Sequence, residues 1–338
     1  MAETLQLWLP QAKSTQLAGA SLAKTLYAFP VDLFLTGELG IGKTYFTQAL
    51  AKALGVADLP TSPTYALEQR YQTTSGREFI HLDLYRLEKR HLPEVLAASE
   101  HHAGIRVIEW ADKIPEAKRR GHPHIDLHFE EKGQGRTLDL TFDDFRLPTR
   151  KQILAWRKEV LLPEHIGRHC DAVGAFALRL AEVLMKQSMI VRKDALARAS
   201  EVHDLLRFID FKPGAGPLDS KLAPEQDRVF SSYRTRYPAM RHEAACAAFL
   251  REQGFPELAE IVAVHGLTLP SPERTTTEQK LLFYADKRLM IDRLVTLNQR
   301  FDDFRTRYAS SSEVNRSTIW YDEAVTVERD LFPHGVPF

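Results

Sequence analysis

Apolar positions along the first 145 residues switch between short unbroken runs and helical spacing. "VDLFLTG" (31–37) predicts a buried strand, and "KTYFTQALAKALG" (43–55) a helix ending at Gly55. "YALEQRYQ" (65–72), "EFIHLDLY" (78–85) and "IRVIEW" (105–110) predict further strands. "HIDLHFEE" (124–131) and "RTLDLTF" (136–142) flank a Gly-containing turn and predict a hairpin. Strands mixed with helices in this way predict an α/β sheet domain over residues 1–147. A polar stretch with a proline, "FRLPTRKQ" (145–152), then changes the texture. Beyond it, "CDAVGAFALRLAEVLM" (170–185) and "EQKLLFYADKRLMIDRLVTL" (278–297) carry apolar residues at helical spacing, and an all-α domain is expected over 153–304. Residues 210–241, rich in Pro, Gly and Arg, read as one long irregular insert. Residues 305–338 read as an extension packed on the domains, with Trp320 and Tyr321 expected to pack at the junction.

The length of 338 residues fits two domains. No apolar run approaches a membrane span, and "MAETLQLWLP" does not read as a signal peptide. Cys170 and Cys246 lack a CxxC partner, so a disulfide framework is not expected, and a cytoplasmic setting is. Acidic and basic residues balance at 45 each, so a chain that grips RNA by its own charge is not expected. Any tRNA would be held indirectly, by a partner protein.

"GELGIGKT" (37–44) fits G-x-x-x-x-G-K-[ST] between a strand and a helix. Gly37, Gly40 and Gly42 let backbone N–H groups turn toward phosphate oxygens. Lys43 brings charge to the outer phosphates, and the Thr44 hydroxyl can reach Mg²⁺. ATP with Mg²⁺ is the implied cofactor, and a further carboxylate is needed at a strand end. Asp83 and Glu109 both follow apolar runs and are the candidates.

"GELGIGKT", "TSPTYAL" (61–67), "HLDLYRL" (81–87) and "VIEWADK" (107–113), in that order, resemble the TsaE (YjeE) family, the ATPase component of bacterial tRNA threonylcarbamoyladenosine synthesis. The resemblance implies ATP held by Gly40, Gly42, Lys43 and Thr44, with Ser62 and Thr64 on a switch-like segment. It places Asp83 and Glu109 around Mg²⁺ and the attacking water, and Trp110 beside the nucleotide. Partners would be proteins of the tRNA threonylcarbamoyl-transferase complex, of the TsaB/TsaD type, with no membrane involved. Ile41 stands where the family has a small residue, Tyr45 where it has a second Thr, and Ala111 where it has Pro. None of these touches the phosphate, lysine or Mg²⁺ positions.

Thirteen histidines is a high number, and several recur in the helical half. His169, the His203–Asp204 pair, His242, His265 and Asp286 each fall within or beside a helical pattern. Imidazoles and carboxylates converging in a bundle suit a divalent metal. A lone histidine on an apolar helix face is more often a satisfied core residue. The ordered set, with "FYADKR" at its end, resembles the HD-domain phosphohydrolase superfamily over about residues 160–300. That resemblance implies a P-loop α/β domain followed by an all-α HD bundle in one bifunctional enzyme.

His169, His203, Asp204 and Asp286 would form the primary metal shell. His242 and His265 would hold a second ion with Asp204 bridging, or contact substrate phosphate. One or two ions of Mn, Fe, Co, Ni or Zn suit such ligands, and a metal-activated water would attack phosphorus. His242 or Glu243 could move protons. Arg207 replaces the lysine that many family members carry. Arg228, Arg234, Arg236 and Arg241 are further candidate phosphate contacts. The implied substrate is a nucleoside 5′-phosphate compound, with threonylcarbamoyl-adenylate, cleaved to AMP and threonine, as one possibility. Alternatives are a 5′-nucleotidase for ordinary nucleotides, or a non-catalytic nucleotide sensor gating the ATPase.

Overall fold

The computed structural model describes residues 2–58, 60, 67–119, 121–211, 223–307 and 311–336. The chain divides into two compact units, residues 1–146 with 182–192, and residues 147–181 with 193–338.

The first unit runs β1 (Glu3–Leu9), α1 (Ala12–Leu22), β2 (Val31–Thr36), α2 (Lys43–Ala53), β3 (Glu68–Gln72), β4 (Glu78–Asp83), α3 (Leu92–Ala97), β5 (Ile105–Glu109), α4 (Glu116–Arg119), β6 (His124–Lys132) and β7 (Gly135–Asp143). The sheet order is β1-β7-β6-β2-β5-β4-β3. β2 lies parallel to both β5 and β6, and β4 is parallel to β5, while β1, β3 and β7 pair antiparallel. The central strands read as unbroken apolar runs because both faces are covered, and β5 is buried throughout. β1, absent from the sequence-based expectation, carries the period-two signal plainly, with Leu5, Leu7 and Leu9 buried and Thr4, Gln6 and Trp8 exposed. α1 comes so close to α2 that a Cβ on Gly19 would sit 2.4 Å from the Phe46 carbonyl oxygen.

The second unit contains α5 (Arg150–Glu159), α6 (Glu164–Lys186), α7 (Lys193–Val202), a 3₁₀ turn (Arg207–Asp210), α8 (Pro224–Arg236), α9 (His242–Glu252), α10 (Pro256–Ala263), α11 (Thr277–Lys287), α12 (Leu297–Arg307) and α13 (Ser311–Leu331). The end of α6 is assigned to the first unit. Two entries are set by capping boxes, Thr149 with Gln152 before α5 and Thr276 with Gln279 before α11.

The structure corrects two expectations here. The apolar pattern over 278–297 is not one helix: α11 stops at Lys287, and β8 (Leu289–Met290) and β9 (Arg293–Leu294) form a hairpin. Ile291, at φ 57°, takes the left-handed conformation that makes the turn. The unit is therefore not wholly helical. Nor is 210–241 irregular throughout, because α8 begins on Pro224 and buries Phe230 and Tyr233 three residues apart. Residues 212–222 lie outside the described residues.

Residues 182–192 cluster with the first unit, for a reason that periodicity does not carry. Arg192 is 1% exposed and donates to both oxygens of Asp144 at 2.8 Å and to Glu3 Oε2 at 3.2 Å. Its guanidinium also lies over Phe145, 4.0 Å from the ring centre. Removing one partner of a buried ion pair leaves the other charge stranded. Arg192→Met is therefore expected to destabilise the first unit by about 3–5 kcal/mol, read as a fall in the thermal midpoint. A midpoint unchanged within error would show that the pair contributes nothing net.

Candidate functional site

In the first unit, β2, β4 and β5 end side by side, with Leu35 and Asp83 both in register with Glu109. The loop after β2 turns on Gly37, Gly40 and Gly42, all at positive φ (132°, 78° and 112°). A Cβ at Gly37 would lie 2.5 Å from the Phe129 carbonyl oxygen, so the loop's entry tolerates no side chain. Lys43 Nζ donates to the carbonyls of Gly37 at 2.7 Å and Glu38 at 2.9 Å, and sits 3.8 Å from the centre of the Trp110 ring. Burial lowers the Lys43 ammonium, against the raising pull of Glu109, Asp83 and Asp112.

Glu109 is the hub of this site. Its Oε2 accepts from the Thr44 hydroxyl at 2.7 Å, and its Oε1 accepts from Thr47 at 3.2 Å and lies 2.8 Å from His81 Nε2. Asp83 Oδ1 accepts from the Tyr85 N–H at 2.9 Å, and burial, with Glu109 adding to it, raises the Asp83 carboxyl. Trp110 takes a left-handed φ of 61° beside the Tyr85 ring, 4.8 Å away. Ile41 is buried in the core that α2 closes, and its carbonyl accepts from Arg136.

The structure thus brings together Lys43, Thr44, Asp83, Glu109 and Trp110. Ser62 and Thr64 lie outside the described residues. His81 and Arg136 had no sequence-based role. The alternation within "FIHLDLY" marks His81 as inward-facing but does not name its partner.

Two of the second unit's histidines stand just past helix ends. His203 follows α7, and His265 follows α10. Each ring Nδ1 faces the carbonyl three residues earlier, Ser200 at 2.8 Å and Val262 at 2.6 Å. Terminal carbonyls lack helical partners, and a carbonyl only accepts, so each Nδ1 carries a proton and each Nε2 is turned toward the cluster. His169, on the buried face of α6 with Val173 and Ala177, is fixed likewise by Ile291 O at 2.8 Å. Backbone carbonyls orienting the far ring nitrogen is the usual arrangement behind metal-ligating histidines.

Those nitrogens converge on two carboxylates. His169 Nε2 is 2.9 Å and His203 Nε2 4.0 Å from Asp286 Oδ1. Asp204 faces both ways. Its Oδ2 is 3.9 Å from His203, and its Oδ1 is 3.0 Å from His242 and 3.5 Å from His265. His203 Nε2 is buried with no hydrogen-bond partner, a cost that folding does not incur without return. Burial, against the pull of Asp204, pushes His203 down to about 3, so it is neutral. Burial would raise Asp204 and Asp286, but His203 and His242 around the first, and Lys287 and His169 around the second, hold both carboxyls well below the usual range. Burial is outweighed at His169 by Asp286 and at His242 by Asp204, so both rings are raised from the ordinary value, while His203 is neutral. His169, His203 and Asp286, and His203, Asp204 and His265, each bring three ligand atoms within 4.8 Å of one another, imidazole and carboxylate donors of the kind a divalent transition ion takes.

Around this cluster, Asp210 accepts the His242 backbone N–H at 3.1 Å and sits 2.7 Å from its Nδ1. Arg207 lies against the same ring and 3.3 Å from Asp210. Glu243 is 4% exposed, with neither carboxylate oxygen hydrogen-bonded, and a Cβ on Gly266 would lie 1.7 Å from its Oε1. Buried Lys287 contacts Asp286 Oδ2 and donates to His265 O at 3.2 Å. Asp210 and Lys287 escaped sequence reasoning: the first sits where the irregular insert was expected to start, and the second is the residue after Asp286. Both cysteines are buried and free.

A cavity of about 1260 Å³ opens beside the cluster. Arg241 lines it, whereas the other arginines of the insert do not. Arg234 donates to Phe208 O at 2.8 Å, Arg236 pairs with Glu252, and Arg228 is exposed. Trp320 also lines the cavity, with its Nε1 donating to Thr268 O at 3.2 Å, and Tyr321 packs on Phe301, so these rings pack within the second unit. No described helix is long and apolar enough to cross a membrane.

A family model described as Threonylcarbamoyl adenosine biosynthesis protein TsaE matches residues 9–138. The tRNA threonylcarbamoyladenosine biosynthesis protein TsaE of a Nostoc species is 40% identical over 119 residues, covering 32% of this chain and 70% of that protein. The protein of the same name from a Synechocystis species is 30% identical over 118 residues, covering 33% and 74%. That from Bacillus subtilis is 36% identical over 99 residues, covering 28% and 62%.

Proposed function

The chain belongs, through its first unit, to the TsaE family, and from that premise we propose a bifunctional enzyme of tRNA threonylcarbamoyladenosine synthesis. Its first unit hydrolyses ATP with Mg²⁺, working with partner proteins of the TsaB/TsaD type. Gly40, Gly42, Lys43 and Thr44 hold the phosphates, Thr44 and Glu109 the magnesium, and Asp83 and Glu109 the attacking water. Trp110 flanks the nucleotide.

The second unit is a metal-dependent phosphohydrolase of the HD type. The observation that carries this is His203 Nε2, buried and unpaired among two carboxylates and two further imidazoles. His169, His203, Asp204 and Asp286 would hold one transition ion. His242 and His265, sharing Asp204, would hold a second. The ion supplies water activation and charge neutralisation at phosphorus. Asp210 orients His242, Arg207 and Arg241 neutralise phosphate charge, and Glu243 accepts a proton from the incoming water.

The substrate is an adenylate, with threonylcarbamoyl-adenylate preferred over AMP. Water adds to phosphorus, and the bond from phosphorus to the carbamoyl oxygen breaks. AMP leaves with the water oxygen, and the released carbamate loses carbon dioxide to give threonine. A carbamate leaves far more readily than the 5′-alkoxide of AMP.

After chelation, Mn, Fe, Co, Ni or Zn should restore hydrolysis and Mg²⁺ alone should not, since imidazole-rich sites favour such ions. In ¹⁸O water the AMP phosphate should carry label by mass spectrometry. Unlabelled AMP would move the attack to the carbamoyl carbon. Full activity after chelation would remove the metal-dependent reading.

A further inference from the structure

The cavity beside the cluster is larger than the ~300–1,000 Å³ usual for a site shaped round one small ligand. Its charge is also divided. The carboxylates that line it, Asp204, Asp210, Glu243 and Asp286, all belong to the metal-type cluster. The wall contributed by β9, α12 and α13 brings Arg293, Arg300 and Arg316 to the lining and, among the described residues, no acid.

α12 and α13 pack on each other through Phe301 and Tyr321, ring centres 5.6 Å apart, and α13 packs on α11, which carries Asp286.

The cluster already supplies what one reacting phosphate requires: Arg207, Arg241 and Lys287 line the cavity beside the carboxylates. Three further guanidiniums line one wall of the cavity, more cationic side chains than a single scissile phosphate at the cluster engages.

We propose that this wall is a second-anion subsite: the compound cleaved at the cluster carries, besides its reacting phosphate, another anionic group held by Arg293, Arg300 and Arg316. The inference rests on the phosphohydrolase reading and narrows its substrate class to two-anion nucleotides. A carboxylate on an acyl-type adenylate and a second phosphate on a nucleoside bisphosphate offer the arginines the same chemistry.

The test uses the full-length chain loaded with Mn²⁺. Wild type and the double variant Arg293→Gln with Arg316→Gln are compared on AMP, adenosine 3′,5′-bisphosphate and threonylcarbamoyl-adenylate. Both arginines are exposed, so the variant should fold. Its kcat/KM should fall about 10–100-fold on at least one two-anion compound, as the loss of charge-assisted hydrogen bonds predicts. On AMP it should change less than about twofold. Loss on the adenylate alone identifies a carboxylate, and loss on the bisphosphate alone a phosphate.

Calorimetric binding of AMP and adenosine 3′,5′-bisphosphate, and competition by the adenylate, are measured in an Asp204→Asn background, which separates binding from turnover. If wild type cleaves none of the three compounds, the phosphohydrolase reading fails while the affinity ratios still report on the subsite. Equal losses on one-anion and two-anion compounds, or no loss on any, would overturn the proposal.

Discussion

Asp204→Asn should empty the metal site and lower phosphohydrolase turnover by at least about 10³-fold, roughly 4 kcal/mol of transition-state stabilisation, while ATP turnover stays within about twofold. The size of the effect follows from the position of this carboxylate. One oxygen faces His203 and the other faces His242 and His265, so it serves both halves of the cluster. His203, His242 and His265 hold its carboxyl below the usual range against a burial that would otherwise raise it. Asparagine keeps the shape and removes the charge, so the expected loss is of ligand strength rather than of packing. Metal content by mass spectrometry and phosphate release from an adenylate are the two readouts. Full metal content with full turnover would exclude Asp204 as a ligand. Loss of ATP turnover alongside, in a protein that still folds, would exclude two chemically separate sites.

The legibility of these sites in the sequence follows from the range of the interactions that make them. The phosphate loop is local. Strand, glycines, lysine and helix are contiguous, so "GELGIGKT" is readable from the sequence alone. The cluster of the second unit is long-range, from His169 to Asp286, but each member sits on an apolar helical pattern, which made the order readable.

What periodicity did not carry were contacts between polar groups distant in sequence. His81 meeting Glu109 is one, and Arg192 closing on Asp144 and Glu3 is another. A hydrophobic pattern says which way a residue faces, never which charge it meets. The hairpin at 289–294 was lost for a different reason. Two-residue strands are too short to show a period of two, and their leucines and methionine continued the helical spacing of α11. The cationic wall of Arg293, Arg300 and Arg316 combines both difficulties, since its arginines come from a hairpin and two helices.

Lys43→Ala should lower ATP turnover by at least about 10²-fold, the cost of losing one preorganised charge at a transferring phosphoryl group, and leave metal content and adenylate hydrolysis unchanged. The ammonium is held over the Trp110 ring and against the carbonyls of Gly37 and Glu38, so its position is set by the loop itself. Those carbonyls are weaker partners than phosphate oxygens, and burial already disfavours the charge. Exchange of the carbonyls for a phosphate is therefore favourable on both counts. Alanine removes the charge without disturbing Glu109, whose hydrogen bonds run to Thr44, Thr47 and His81. The magnesium-side residues should stay in place, and the loss should be kinetic more than structural.

Lys43→Arg separates charge from shape. A planar guanidinium keeps the charge but cannot occupy the compact ammonium's place over Trp110. Turnover should recover only partly. Steady-state ATP hydrolysis with Mg²⁺, for wild type and both variants, makes the measurement. Equal turnover in all three would remove Lys43 from the ATPase site, and full recovery by arginine would reduce its role to net charge.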